Sequence, residues 1–139
     1  MNLPIAPSLF LAWAIAIAAG LVYVPSYVVV AYARAKSGFD PRNPRAIFEK
    51  LPPYAQRAVW AHQNAFESLT LFAPAALLVL VADGTSPYTN AVALTYLVAR
   101  LVHSIAYMVG IAPLRGLAWV TSIACIASLY GTGITELAH

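Results

Sequence analysis

The stretch Gln56-Arg57-Ala58-Val59-Trp60-Ala61-His62-Gln63-Asn64-Ala65-Phe66-Glu67 runs without a loop signal into the apolar segment from Ser68 to Ala82. At about 100° per residue, Arg57, Asn64 and Glu67 fall within roughly 80° of one another on a helix, flanked by Gln56, Gln63 and Ser68. A polar stripe therefore descends into a segment with the composition of a membrane span.

The rest of the chain has the same character. Of its 139 residues 61% are hydrophobic and 9% charged, whereas soluble domains average about 25% charged. The apolar residues gather in four blocks, near 9–33, 58–82, 88–109 and 117–137. Each is close to the ~20 residues a helix needs to cross ~30 Å of hydrocarbon. The expected fold is all-α: one domain over 1–139, an integral membrane bundle of four antiparallel helices, with a cytoplasmic loop at 34–57. Within that loop Gly38, Asp40, Pro41, Pro44, Pro52 and Pro53 are turn chemistry, with room for one helical turn at 46–50. Pro25 is expected to kink the first helix, because it lacks an N–H and crowds the preceding turn.

The net charge of +3 is less informative than where the charges sit. Arg34, Lys36, Arg42, Arg45, Lys50 and Arg57 lie between the first two blocks and Arg115 between the last two, whereas the connection Asp83 to Pro87 has no basic residue. By the positive-inside rule the first and third connections face the cytoplasm and both termini face away from it. No basic helix is interleaved with exposed aromatics, so the basic segment reads as topogenic and no nucleic-acid partner is expected.

Block three carries a second polar face. Tyr96, Arg100, His103 and Tyr107 are spaced 4, 3 and 4, which gathers them within about 60° of helix surface. A charge at mid-span costs at least ~2.5 to 3.5 kcal/mol, so Glu67 and Arg100 are candidates for one buried ion pair. Such a pair seldom adds stability over apolar packing, and the stripes need a reason to exist: helix glue, or a ligand site. His62 lies about 120° or more from the Arg57, Asn64 and Glu67 face and reads as a packing histidine. His62, His103 and Glu67 lack metal-ligand spacing and no metal is expected. The lone Cys125 excludes an intrachain disulfide. The turn Gly110 to Gly116 puts Arg115 at the mouth of the fourth helix, where the two polar faces can converge with it on one cavity open to the cytoplasm.

Arg57-x4-His62-x-Asn64-x2-Glu67, Arg100-x2-His103-x3-Tyr107 and Arg115-x3-Trp119 together resemble the membrane-associated proteins in eicosanoid and glutathione metabolism, the MAPEG family, of which the chain looks like a divergent, bacterial-type member. The resemblance spans nearly the whole chain. It implies a homotrimer embedded in the lipid bilayer, with glutathione as co-substrate bound between neighbouring subunits at the cytoplasmic side. Carried over by position, it implies binding roles for Asn64 and Glu67, with Arg57, Arg100, His103 and Tyr107 beside them and Arg34 from the end of the first helix. Arg115 matches the arginine next to the glutathione sulfur, the catalytic position. The implied activity is a transferase or peroxidase in which the thiolate attacks a small apolar electrophile or a lipid hydroperoxide.

Two positions depart from the family pattern. Trp60 stands where many members have a further arginine, and Gly116 where some synthases have serine. The alternative is a non-catalytic membrane scaffold whose intramembrane polar residues only pair helices. A channel is disfavoured by the apolar run Leu77 to Leu80.

Overall fold

The computed structural model describes residues 7–138. The chain ends, whose sidedness the charge pattern addresses, lie outside them. The elements in order are α1 (Pro7–Lys36), α2 (Pro53–Val81), α3 (Pro87–Val109) and α4 (Ala112–Leu137), with a 3-10 turn at Phe48–Lys50 before α2. All four helices are long and apolar enough to cross a membrane.

The helices outrun the apolar blocks, and proline explains where. Pro53 opens α2, because the first helical position needs no N–H and favours the φ that the ring fixes. The pair Pro52-Pro53, read from sequence as loop, is thus a helix start. The loop shrinks to the segment 37–52, and Arg57 moves from the loop into α2. In the same way α4 begins at Ala112, with Pro113 in its first turn. Arg115 therefore lies inside a helix and not in a connecting turn. The α2–α3 turn is closed by a capping box: the Ser86 backbone N–H donates to Thr89 Oγ1 at 2.9 Å, and the Thr89 N–H donates to Ser86 Oγ at 3.2 Å. Such caps contribute on the order of 1 kcal/mol.

Large side chains point outward and small ones inward, as lipid solvation demands. Trp13, Val24, Val28, Val98, Leu117 and Val120 are exposed on the protomer. The core instead holds Ala14, Ala18, Ala75, Ala76 and Ala93, around Leu11, Phe72, Tyr96 and Leu129. Tyr96 stacks on Phe72 with ring centroids 3.8 Å apart, and its hydroxyl shares a hydrogen bond of 3.0 Å with Ser68 Oγ. That bond satisfies a polar atom which would otherwise be stranded in hydrocarbon. Cys125 packs in the same core.

The helices α2 and α4 pack closely at Gly133. A Cβ added to Gly133 would lie 2.7 Å from Leu78 Cγ and 3.2 Å from the Leu78 backbone carbon. Gly133→Ala should therefore destabilise the bundle by about 1–3 kcal/mol, read as a lower thermal midpoint in detergent. An unchanged midpoint would mean that α2 and α4 are not packed this closely.

The helix α1 continues through Pro25. Near it, His62 Nδ1–H donates to the Val22 carbonyl at 2.8 Å, one turn before the proline, where the helical ladder is weakened. The imidazole also contacts the rings of Tyr23 and Tyr27, with centroids 5.3 and 5.4 Å away. His62 is a packing histidine, tied to α1 and turned away from the polar face of α2.

Candidate functional site

The site is built on α3. Its residues Arg100 and His103 are 4% and 2% exposed, and Tyr107, one turn further on, is half-buried. The 3, 4 spacing delivers all three to one side of the helix. The ring of His103 meets the ring of Tyr107 edge-on at 5.6 Å, and the Arg115 guanidinium sits over the other ring at 4.6 Å from the Tyr107 centroid. Tyr107 thus links α3 to the first turn of α4 by a cation–π contact.

Arg100 extends toward α2, where its NH2 group donates to Asn64 Oδ1 at 3.0 Å. This corrects the expected ion pair. Among the described residues Arg100 has an amide partner and not the Glu67 carboxylate, and Glu67 is exposed on the protomer surface. Asn64 and Glu67 are about 60° apart on the helix, and that difference separates inside from outside. A neutral amide also meets the guanidinium without desolvating a second charge. Two buried polar atoms in this cluster have no partner among the described residues: Arg100 NH1 and His103 Nδ1.

Arg57 is occupied structurally. Its Nε–H donates to the Met108 carbonyl at 2.9 Å, one of the last carbonyls of α3, which the helix itself cannot satisfy. The α3 end is completed by Gly110, at φ +86°, a left-handed conformation that glycine adopts without cost. The N–H groups of Gly110 and Ile111 both reach the Ala106 carbonyl at 2.9 Å. Gly110 lies against the Arg57 guanidinium, which a Cβ would meet at 3.7 Å. Arg57 therefore fixes the start of α2 to the end of α3.

Arg34 lies elsewhere. It lines a cavity of about 350 Å³ together with Arg45, Phe48, Trp60 and Gln63. Within one protomer the sequence-predicted residues divide into the group Arg57, Asn64, Arg100, His103, Tyr107 and Arg115, the outward Glu67, and the separate Arg34. A second, apolar cavity of about 400 Å³ runs between α3 and α4 beside the Arg115 turn, lined by Leu94, Val98, Val102, Leu114 and Leu117 among others. The contribution of Arg45 and of this groove was not legible from helical spacing.

The chemistry of the main group is that of an anion receptor. Arg115 sits in the first turn of α4, where unsatisfied N–H groups and the helix dipole add to its positive charge. No three His, Cys, Asp or Glu side chains among the described residues are grouped as metal ligands.

None of the curated proteins matches the chain. A family model described as MAPEG family matches residues 10–135, which takes in all but the outermost turns of the bundle and every residue of the cluster. The chain is an integral membrane protein that belongs to the MAPEG family.

Proposed function

We propose that the protein is a glutathione-dependent membrane transferase or peroxidase, assembled as a homotrimer of antiparallel four-helix protomers. The observation that carries this reading is the polar cluster itself. It holds a buried guanidinium N–H and a buried imidazole nitrogen that have no partner among the described residues, next to an arginine at a helix N-terminus. Family membership supports a glutathione-related role in general terms.

The donor set fits the tripeptide. Its carboxylates match Arg100 and its thiolate matches Arg115, and Glu67 suits its ammonium group. Glu67 is exposed well inside the α2 span, and an ionised carboxylate facing lipid at such depth is costly. A neighbouring copy that covers Glu67 and shares the ligand removes that cost. On this reading the Arg115 face is the cytoplasmic one, and glutathione enters from it.

Arg115 stabilises the thiolate, each pKa unit of depression corresponding to about 1.36 kcal/mol of preference for the charged form. The guanidinium keeps its own proton throughout. The thiol proton leaves to solvent; the sulfur electron pair forms the S–C bond with the electrophile, and the leaving group departs with its bonding electrons. The α3–α4 groove offers an apolar electrophile a place to bind from the bilayer, with its lining residues Leu114 and Leu117 on either side of Arg115 in the chain.

The test is a glutathione titration of detergent-purified protein followed by conjugation of a generic aryl halide. Saturable binding is expected, weakened about tenfold in Glu67→Gln by loss of a charge-assisted contact. Absence of saturable binding in the wild-type protein would sink the proposal. It would leave the scaffold alternative, which the Arg57–Met108 and Asn64–Arg100 bonds between helices favour.

A further inference from the structure

Arg115 follows the corner between α3 and α4, and little packing holds that corner in place. Every residue from Val109 to Leu114 is exposed. The corner is short and internally bonded: the Gly110 and Ile111 N–H groups donate to the Ala106 carbonyl, and the Arg115 N–H donates to the Ile111 carbonyl at 3.0 Å. Such a unit keeps its own shape, yet it can shift as a whole and carry Arg115 with it.

One side chain opposes that shift. Among the described residues, the 2.9 Å bond from Arg57 Nε–H to the Met108 carbonyl is the only side-chain hydrogen bond that reaches residues 106–115 from another helix. Met108 follows Tyr107 in the chain, and the Tyr107 ring lies under the Arg115 guanidinium. Arg57 thus holds the backbone next to the ring on which Arg115 rests. Asn64, which meets Arg100, lies two turns further along α2 and about 20° away around it. A single helix therefore fixes both the Arg100 end and the Arg115 end of the cluster.

Placement matters more to chemistry than to binding. A displacement of about 1 Å at a reacting group can cost on the order of 100-fold in rate, whereas tripeptide affinity is spread over several contacts. We propose that Arg57 is a positioning residue: it does not hold the tripeptide but, through the Met108 carbonyl, keeps Arg115 where the thiolate forms. This inference rests on the thiol reading above.

Side-chain geometry supplies the test, made on the full chain in detergent. Gln carries its amide nitrogen, and Met its terminal methyl, as many atoms from the backbone as Arg carries Nε. Arg57→Gln therefore keeps the donor and drops the charge, and Arg57→Met drops both. Arg57→Met is expected to lower kcat for aryl halide conjugation about 10- to 100-fold and to raise by about one unit the pH at which the band of bound glutathione thiolate is half developed. Glutathione Kd should stay within about threefold, since the tripeptide contacts remain. Arg57→Gln should recover most of both losses. Without glutathione, the backbone amides of residues 111–116 should exchange about tenfold faster in Arg57→Met than in wild type or Arg57→Gln, the effect of losing one hydrogen bond.

Equal losses of rate in the two variants would overturn the proposal, by assigning the effect to charge. A tenfold weaker Kd in both would overturn it by making Arg57 a carboxylate clamp. Unchanged exchange in Arg57→Met would overturn it by showing that the corner is held elsewhere. If Arg57→Met does not fold, a displaced thiolate midpoint in Arg57→Gln is still sufficient to overturn it. A wild-type protein with no thiolate band would overturn the thiol reading and the positioning role together, whereas a wild-type band retained in Arg57→Met at the same midpoint and the same kcat would overturn the positioning role alone.

Discussion

Arg115→Ala is expected to lower kcat/KM for glutathione conjugation by at least about 100-fold, while glutathione affinity stays within about threefold. A loss of that size follows from removing a preorganised group that stabilises a reacting anion. Affinity is largely spared because Asn64, Arg100 and Glu67 hold the rest of the tripeptide on the proposed reading. Arg115→Lys should recover only part of the activity. An ammonium keeps the charge but not the flat, delocalised guanidinium that lies over the Tyr107 ring, 4.6 Å from its centroid. If Arg115→Ala conjugated at the wild-type rate, Arg115 would be a topogenic residue and the mechanism would fail.

Asn64→Leu should destabilise the bundle by about 3 kcal/mol, because it strands a guanidinium that is already short of one partner. The double variant Asn64→Leu/Arg100→Met should recover most of that stability, since an apolar pair of similar volume needs no hydrogen bonds. Thermal midpoints in detergent give both numbers. The double variant also separates two roles: it is expected to fold and yet to lose glutathione binding. Retained binding would show that the pair only joins helices. A double variant no more stable than Asn64→Leu would show that Arg100 has further partners in the assembled protein.

The four helices were legible because lipid imposes apolar blocks of nearly fixed length, and the polar face of α3 was legible because Arg100, His103 and Tyr107 keep helical spacing. What escaped the sequence depended on contacts between elements. Pro52-Pro53 and Pro113 are loop formers by composition and helix starters by geometry, so composition alone starts α2 and α4 too late and places Arg115 in a turn. Arg57 lies on the polar stripe, yet it serves the carbonyl of Met108, a partner that becomes visible only when α2 lies against the end of α3. Asn64 and Glu67 share an arc too narrow for periodicity to divide. Opposite charge favoured Glu67 as the partner of Arg100, whereas desolvation favoured Asn64. Arg45 belongs to a proline-rich segment whose path no repeat determines, so its approach to Arg34 left no signature. The packing role of His62 is legible in the sequence because its angle from the stripe is large.

On the proposed reading the cluster around Arg115 holds glutathione as a thiolate. The decisive measurement is the ultraviolet difference spectrum of wild-type protein titrated with glutathione, at a pH well below the pKa of the free thiol. A thiolate band that saturates with bound glutathione, and disappears in Arg115→Ala while binding persists, is the predicted result. Saturable binding without any thiolate band in the wild-type protein would contradict it.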